Sequence, residues 1–416
     1  MGSLCLHAPH FIPLTIWHCL IFEDGIDYTA DMSEIQFDLS IVGGGPTGCA
    51  LALELARLAP DPSRIALLQA DDISRYQTHA PQDPRVIAIN EGTRVMLDDL
   101  GVWPEGACPI HTIHVSQKGR LGRTLITHDE FNVPALGYVV RYHALRSGLL
   151  QAVQRLGVSV LQDQMQSVTD HGETVQMMAR QHQFDTRLAV RADGMNHTAT
   201  SDRYRQTALI GRASVTSPCS GWAFERFTRG GPFAVLPHPD NDGTQSIVWC
   251  CEPATAQKLV SLDLRQFSQA MTDTFGERLG KFEALEPFQA FPLYQSLDPE
   301  PVVGRIINIG NAAQTLHPVA GQGMNLGLRD AATLSHCLRD WIAQPHRDPR
   351  RSLTTYQKLR DLDRQSTVKL TGFMSTIFTT QLPIIEHVAG LALLALDTFE
   401  GLRAPLARHL MEGLRR

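Results

Sequence analysis

The chain has eight cysteines but no C-x-x-C pair, 17 histidines but no H-E-x-x-H, and no second copy of its G-x-G-x-x-G turn. The cysteines (Cys5, Cys19, Cys49, Cys108, Cys219, Cys250, Cys251, Cys337) are scattered. Such scatter excludes a zinc-ligand set and a disulfide framework and fits a reducing cytoplasm. With no second glycine turn, there is no sign of a separate nicotinamide-binding domain. No apolar run reaches the roughly 18–20 residues needed to span a bilayer. Basic residues are not in excess either. The 37 Lys and Arg against 43 Asp and Glu give a net charge of −6. Without the positive field that drives duplex binding, nucleic acid is excluded as a partner.

What remains is an ordinary globular composition, 43% apolar and 19% charged, over 416 residues. That length suits two or three domains at roughly 100–200 residues each. The apolar stretch 11–22 lacks a basic flank before it and a small-residue cleavage site after it, and the next methionine is Met32. Residues 1–31 are therefore expected to be an upstream extension, and 1–35 a poorly ordered arm.

From residue 38 the pattern sharpens. Residues 38–42 read as a buried strand, 43–48 as a glycine turn, 49–58 as an Ala-rich apolar helix and 64–68 as a second strand ending at Gln69. This is the opening of a βαβ unit. Alternation in 110–127 and 222–251 predicts antiparallel strands with one wet face, hence a second, sheet-rich domain. Helical spacing marks 143–156 and 324–342, and strands are expected over 188–193 and 306–309. The segment after Pro349 is helical, broken at Pro383 and Pro405. Lys118, Arg120 and Arg123 read as a solvated hairpin. No internal repeat is present.

Three segments carry chemistry. In Gly43-Gly44-Gly45-Pro46-Thr47-Gly48, Gly43 makes a tight turn, Gly45 lets the backbone approach a pyrophosphate, and Gly48 lets the helix pack closely. The phosphates then rest on a helix N-terminus, where free N–H groups and the macrodipole favour anions. Gln69 stands at the strand end where a carboxylate usually accepts the ribose hydroxyls, and its amide can bond one without charge. Ala192-Asp193-Gly194 is, alone, an ordinary turn. The third segment runs from Gly310 through Asn311, Gln314, His317, Pro318, Gly321, Gly323, Met324 and Asn325 to Gly327. So many small residues before a helix would let backbone N–H groups lie against a flat ligand that gains negative charge, as a reduced flavin does.

Together with the segment 83–90, which contains Arg85, these motifs resemble in order and spacing the FAD-dependent aromatic hydroxylases of ubiquinone biosynthesis, from about residue 37 to the C-terminus. Residues 101–103 with 114–116, 223–228 with 236–237 and 248–250, and 310–318 resemble one branch, the 2-octaprenyl-6-methoxyphenol hydroxylases. Asn311 and Gln314 stand where the wider family has Asp and His, Gln69 replaces the usual acid, and His197 replaces a common Ser.

The resemblance implies an α/β fold with a Rossmann-like FAD-binding domain of the p-hydroxybenzoate hydroxylase type (36–109, 138–200 and 296–345). A β-sheet substrate domain (110–137 and 201–295) and a helical C-terminal region (346–416) complete it. It implies FAD as cofactor, NAD(P)H as co-substrate docking transiently, and O₂ as the source of one oxygen atom placed on a polyprenylated methoxyphenol. The cofactor carries the hard chemistry, and the protein supplies position, electrostatics and a dry pocket. Gly43, Gly45, Gly48, Gln69, Arg85, Asp193, Gly194, Gly310, Asn311, Pro318, Gly321, Gly323, Met324 and Asn325 are the candidate cofactor residues. His317 is a candidate for adjusting protonation, with a structural role as the plainer alternative. A lipophilic prenylated phenol calls for an apolar channel and for a membrane or a lipid-carrying partner, which other ubiquinone-biosynthesis proteins could be. The apolar run 389–396 and Arg403, Arg408, Arg415 and Arg416 could rest on an anionic membrane surface, at the inner face, or pack on protein. A related hydroxylase acting on another ring position or phenol, and a catalytically silent lipid-binding scaffold of the same fold, stay open.

Overall fold

Strand Phe37–Val42 is buried along its whole length, as a strand flanked by neighbours and covered on both faces must be. It lies parallel to Ile65–Gln69 on one side and to Gln183–Arg191 on the other, and Gln183–Arg191 lies parallel to Ile306–Asn308. Ser159–Gln162 adds beyond Ile65–Gln69, also parallel. This computed structural model describes residues 36–70, 85–194, 202–240, 242–378 and 382–412. The expected N-terminal arm, Asp83, His197, Arg415 and Arg416 lie outside the described residues.

The register of the parallel strands positions the site. Val42 sits opposite Leu68 and Arg191, and Arg191 sits opposite Asn308. Four strands therefore end at one level, and the segments that follow them meet at the carboxyl edge of the sheet, where open α/β sheets bind ligands.

The helices are α1 (Pro46–Ala56), α2 (Glu91–Asp99), α3 (Tyr142–Arg155), α4 (Pro253–Val260), α5 (Leu264–Phe275), α6 (Gln322–Ile342), α7 (Arg350–Ile377), α8 (Pro383–Thr398) and α9 (Glu400–Glu412). Helix α1 starts at Pro46 rather than at residue 49, because proline's fixed φ and missing N–H suit a first helical position. It packs between the sheet, α3 and α6, and Leu51, Leu55, Leu149, Val190, Leu328 and Leu334 form part of one buried cluster there. Its Ala-rich, all-round apolar surface follows from burial on every side.

The second sheet has the order 314–315, Gln289–Leu297, Asp202–Val215, Gln245–Cys251, Gly231–Pro237, Trp222–Thr228, Thr112–Gln117, Arg123–Thr127. It departs from the sequence expectation in three ways. Trp222–Thr228 and Thr112–Gln117 run parallel, because strands distant in sequence are brought together here. The long strands Asp202–Val215 and Gln289–Leu297, interrupted by Arg, Gln and Gly, carry no clean alternation and escape a pattern reading. The face turned away from the Phe233, Trp249, Phe267 and Phe275 cluster is not simply wet, since much of it lines a cavity.

The C-terminal helices fold back over the molecule, and here two further expectations are corrected. Pro405 lies inside α9 without breaking it. The carbonyl that loses its partner is that of Gly401, which is exposed and so open to water. The hairpin around Lys118 and Arg120 is not free in solvent. Arg120 pairs with the buried Glu386, Lys118 Nζ donates to the Asp273 carbonyl at 2.7 Å, and a Cβ on Gly122 would lie 1.8 Å from the Gly390 carbonyl oxygen. Helix α8 thus rests backbone to backbone on the hairpin.

Candidate active site

The carboxyl edge of the parallel sheet opens into a cavity of about 810 Å³. One end is lined by the glycine turn, the other by the second sheet.

Close approaches without side chains hold the polar end together. Gly43 has φ +119°, and a Cβ on it would fall 2.5 Å from the Ala192 carbonyl. A Cβ on Gly48 would fall 2.0 Å from the Gly43 oxygen, so α1 begins directly against its own turn. Gly310, at φ +58°, leaves only 3.2 Å between such an atom and Thr47, and a Cβ on Gly194 would come within 3.9 Å of Asn311. The three segments singled out in the sequence therefore converge.

Their positions differ in kind. Gly43, Gly45, Gln69, Arg85, Asp193, Gly194, Asn311, His317, Pro318, Gly321, Gly323, Met324 and Asn325 line the cavity. Gly48 and Gly310 stand behind its wall and act by permitting contact. Among the described residues, nothing beyond the chain neighbours and its own helix's backbone lies within 4 Å of where a Cβ on Gly323 would sit, and beyond the chain neighbours the nearest atom to one on Gly45 is the Tyr142 hydroxyl at 3.8 Å, so both offer open backbone. The N-termini of α1 and α6 both face this space. Each presents N–H groups without intrahelical partners and a positive dipole end.

Gln69 decides what the polar end fits. It is buried, yet among the described residues neither its Nε2 nor its Oε1 has a hydrogen-bond partner. A buried amide left unpaired costs on the order of 1–3 kcal/mol, and hydroxyls of a ribose at the strand end would satisfy it. Arg85 stacks its guanidinium 4.2 Å above the Tyr142 ring, and Asp193 pairs with Arg191 at 3.1 Å. The open glycine backbone, two helix N-termini and an orphaned amide suit a dinucleotide carrying a flat ring.

The loop preceding α6 is pinned from behind. Asp330, fully buried, accepts from the Gly310 N–H at 3.0 Å and from Gln314 Nε2 at 2.6 Å, and receives Arg360 Nε at 2.8 Å. Asn325 accepts from the Asn90 N–H at 2.9 Å and donates to the Ala88 and Gly321 carbonyls, tying α6 to strand Val86–Asn90. His317 is buried, and desolvation lowers its pKa to about 4. Its Nε2 faces Gln206 Oε1 at 2.7 Å and its Nδ1 accepts from the Val319 N–H. A neutral ring so engaged links the loop to strand Asp202–Val215.

Sequence reasoning missed several lining residues. Arg146 donates to the Gly44 carbonyl at 2.9 Å. Asp163 follows Gln162, which pairs with Gln69, so counting parallel strand ends would have found it. Ala407, Leu410 and Met411 close the cavity from α9, and the Leu410 carbonyl accepts from Asn90 Nδ2 and Gln322 Nε2. No local signal marks a terminal helix as a wall.

A family model described as FAD binding domain matches residues 36–371. The chain belongs to this FAD binding domain family. As a member it is an FAD-dependent monooxygenase, with NAD(P)H as the reductant typical of the family. Among curated relatives it is 28% identical to the ubiquinone hydroxylase UbiL of Rhodospirillum rubrum, over 91% of this chain and 90% of that one. It is 26% identical to the 3-demethoxyubiquinol 3-hydroxylase of Escherichia coli, over 88% and 96%. Among solved structures, p-nitrophenol 4-monooxygenase PnpA from Pseudomonas putida superposes with a TM-score of 0.71 at 15% identity, over 91% of this chain and 99% of that one. This likeness shows the shared fold, that of the p-hydroxybenzoate hydroxylase type.

Proposed function

We propose that this FAD-dependent monooxygenase acts in ubiquinone biosynthesis, converting 2-polyprenyl-6-methoxyphenol to the 1,4-benzoquinol with NAD(P)H and O₂. The observation that carries this reading is the single cavity joining a glycine-lined polar cradle to an apolar sheet wall. The relatives named for ubiquinone hydroxylation support it. So does the presence in the cavity lining of Ala223, Phe224, Glu225, Leu236 and Val248, which belong to the branch-like segments.

In this reading Gly43, Gly45 and the α1 N-terminus hold the pyrophosphate, with Gly48 and Gly310 permitting the approach. Gln69 bonds the ribose, Arg85 contacts the phosphate or sugar region, and Asp193, Gly194 and Asn311 hold the ribityl side. Pro318, Gly321, Gly323, Met324 and Asn325 place the start of α6 against the flavin, where the dipole favours negative charge. Bound there, FAD would supply the redox chemistry, with NAD(P)H as reductant and O₂ as the source of the atom placed on the ring. The chain's own task is to orient the phenol and keep water out. Phe291, Leu293, Met374, Leu410 and Met411 provide dry walls. His317, held neutral, fixes the loop.

Substrate of this kind arrives from a lipid phase, and α8 is the proposed contact. Ile384, Val388, Leu391 and Leu394 form a helically spaced stripe that is 45–78% exposed. No helix among the described residues is long and apolar enough to cross a membrane, and the contact proposed is a peripheral one. Replacing Ile384 and Leu391 by Glu should release the protein from sedimenting phosphatidylglycerol vesicles; unchanged sedimentation would remove the contact from the proposal. For the reaction, deletion of the gene in its host should accumulate a prenylated methoxyphenol lacking the new hydroxyl, as read by mass spectrometry. Unchanged quinone content would overturn the assignment.

A further inference from the structure

Side chains alternate along a strand, so the residues between those that line the cavity belong to the sheet's other face. Ile113, Val115, Ile126 and Ala223 line the cavity. On the other face His114 lies opposite Phe224 and Leu125, and Ser116 opposite Arg226 and Arg123. Side-chain contacts follow this register. The His114 ring packs 5.5 Å from the Phe224 ring, and Arg226 Nη1 donates to Ser116 Oγ at 3.3 Å. A third guanidinium comes from the turn Glu277–Leu279, where Leu279 is buried in the same cluster as Phe224. Of the charged groups acting on His114, Arg278 is the strongest, ahead of Arg123 and Arg226.

What this cluster lacks is a carboxylate. Elsewhere in the fold an arginine that leaves water is met by an acid, Arg360 by Asp330 and Asp363, and Arg120 by Glu386. Among the described residues none of Arg123, Arg226 and Arg278 is in an ion pair, and no acid is among the groups acting on His114. Asp273 and Glu277, nearby in the sequence, are exposed, and Asp273 accepts from Gln269 Nε2 at 2.7 Å. Like charges therefore face one another. Burial and then Arg278 push the pKa of Arg226 down, and burial and then the arginines hold that of His114 at about 4. Two nitrogens are left over: His114 is 2% exposed, and among the described residues neither its Nε2 nor Arg226 Nε has a partner. Arg123 and Arg278 are exposed and Arg226 is half-buried, so positive charge runs from solvent inward to an unpaired ring. Buried polar groups without partners and crowded like charges both carry a cost that a bound anion removes.

We infer that Arg123, Arg226, Arg278 and His114 form a binding site for a phosphate-type oxyanion, on the opposite face of the sheet from the cavity. Guanidinium forks match the spacing of phosphate oxygens and give charge-assisted bonds. The His114 ring, in its Nε2–H tautomer, donates to an oxygen at the inner end. Arg226 is already placed for this, since Ser116 and the Phe275 ring, 5.9 Å from its guanidinium carbon, fix its side chain. Two sources share the chemistry, a free phosphate and a phospholipid headgroup. The hairpin brings a lipid surface within reach. Arg123 opens the strand Arg123–Thr127, Leu121 two residues before it is 99% exposed, and Gly122 between them lies against Gly390 of α8.

The test gives the FAD-loaded full chain two probes, inorganic phosphate followed by calorimetry and phosphatidylglycerol vesicles followed by sedimentation. Wild type is compared with Arg226→Gln and with the exposed pair Arg123→Gln and Arg278→Gln made together. Arg339→Gln with Arg351→Gln, exposed positions on α6 and α7, is the charge-matched control. Phosphate affinity should fall about tenfold in Arg226→Gln, fall further in the double variant and hold in the control. Flavin content should hold in all of them, which separates the effect from misfolding. Phosphate binding lost with sedimentation unchanged would make the occupant a free phosphate, and sedimentation weakened in the site variants would make it a headgroup. Site variants that match wild type with both probes, or an equal loss in the control, would overturn the inference. The hydroxylase reading stands apart from every one of these outcomes.

Discussion

A Cβ placed on Gly43 would lie 2.5 Å from the carbonyl carbon and oxygen of Ala192. This contact joins the glycine turn after one strand to the Asp-Gly turn after its parallel neighbour. Gly43 also has φ +119°, so a side chain there is strained as well as obstructed. Gly43→Ala should push the two turns apart, leaving a purified protein with far less flavin per chain and a lower melting temperature. Flavin retained at the wild-type ratio would show that the close approach is dispensable.

Gln69 gives effects of opposite sign on stability and on affinity. Its two polar atoms are buried without partners among the described residues. Gln69→Leu should remove that cost and raise the stability of the FAD-free protein by about 1 kcal/mol, while weakening FAD binding about tenfold. Urea unfolding without FAD and fluorescence titration with it check the two halves separately. Affinity unchanged by the substitution would remove Gln69 from the cofactor contact.

Asp330 holds the loop before α6 by accepting from Gly310 and Gln314 while it neutralises Arg360, which is 5% exposed. Asp330→Ala would bury a guanidinium with one carboxylate fewer and free the loop. A loss of about 3–5 kcal/mol in unfolding free energy is expected, together with weaker FAD binding. Asp363 also accepts from Arg360, at 2.6 Å from Nη1, and a stability change under about 1 kcal/mol would mean that it alone compensates the guanidinium.

The cofactor half was legible because it is built where parallel strands end, and a glycine there must answer to backbone geometry alone. Gly43, Ala192 to Gly194 and Gly310 all follow strands whose registers align. The other half was not. Alternation in Trp222–Thr228 told which residues share a face, and a glutamate on that face reads as solvated until the cavity is seen. Ala407, Leu410 and Met411 could not be read as a wall, since apolar spacing on a terminal helix says that a face is covered without saying by what. Pro405 does not break its helix, because a proline's cost depends on whether the carbonyl four residues earlier meets water, which local sequence does not tell.

Acid should destabilise the fold before its carboxylates titrate. His114, His238 and His317 are buried, and desolvation, first among the causes, holds each at about 4, with nearby arginines adding to it at His114 and His238. Each folded pKa lies below the ordinary 6.5, so the unfolded chain binds more protons than the folded one between those values. Stability is full above about pH 6.5 and falls toward pH 4, by up to about 1.4 kcal/mol per pH unit for each histidine. Melting temperature should drop from pH 7 to pH 5, and His317→Gln should make that drop shallower. A melting temperature constant over this range would contradict the assignment of neutral histidines.

One cavity must bring a flavin and a prenylated phenol together for the proposed reaction to occur. Purified protein given NADPH, 2-geranyl-6-methoxyphenol and ¹⁸O₂ should consume NADPH and yield a benzoquinol carrying one labelled oxygen atom, read by mass spectrometry. An unlabelled product, or NADPH consumption without hydroxylated product, would contradict it.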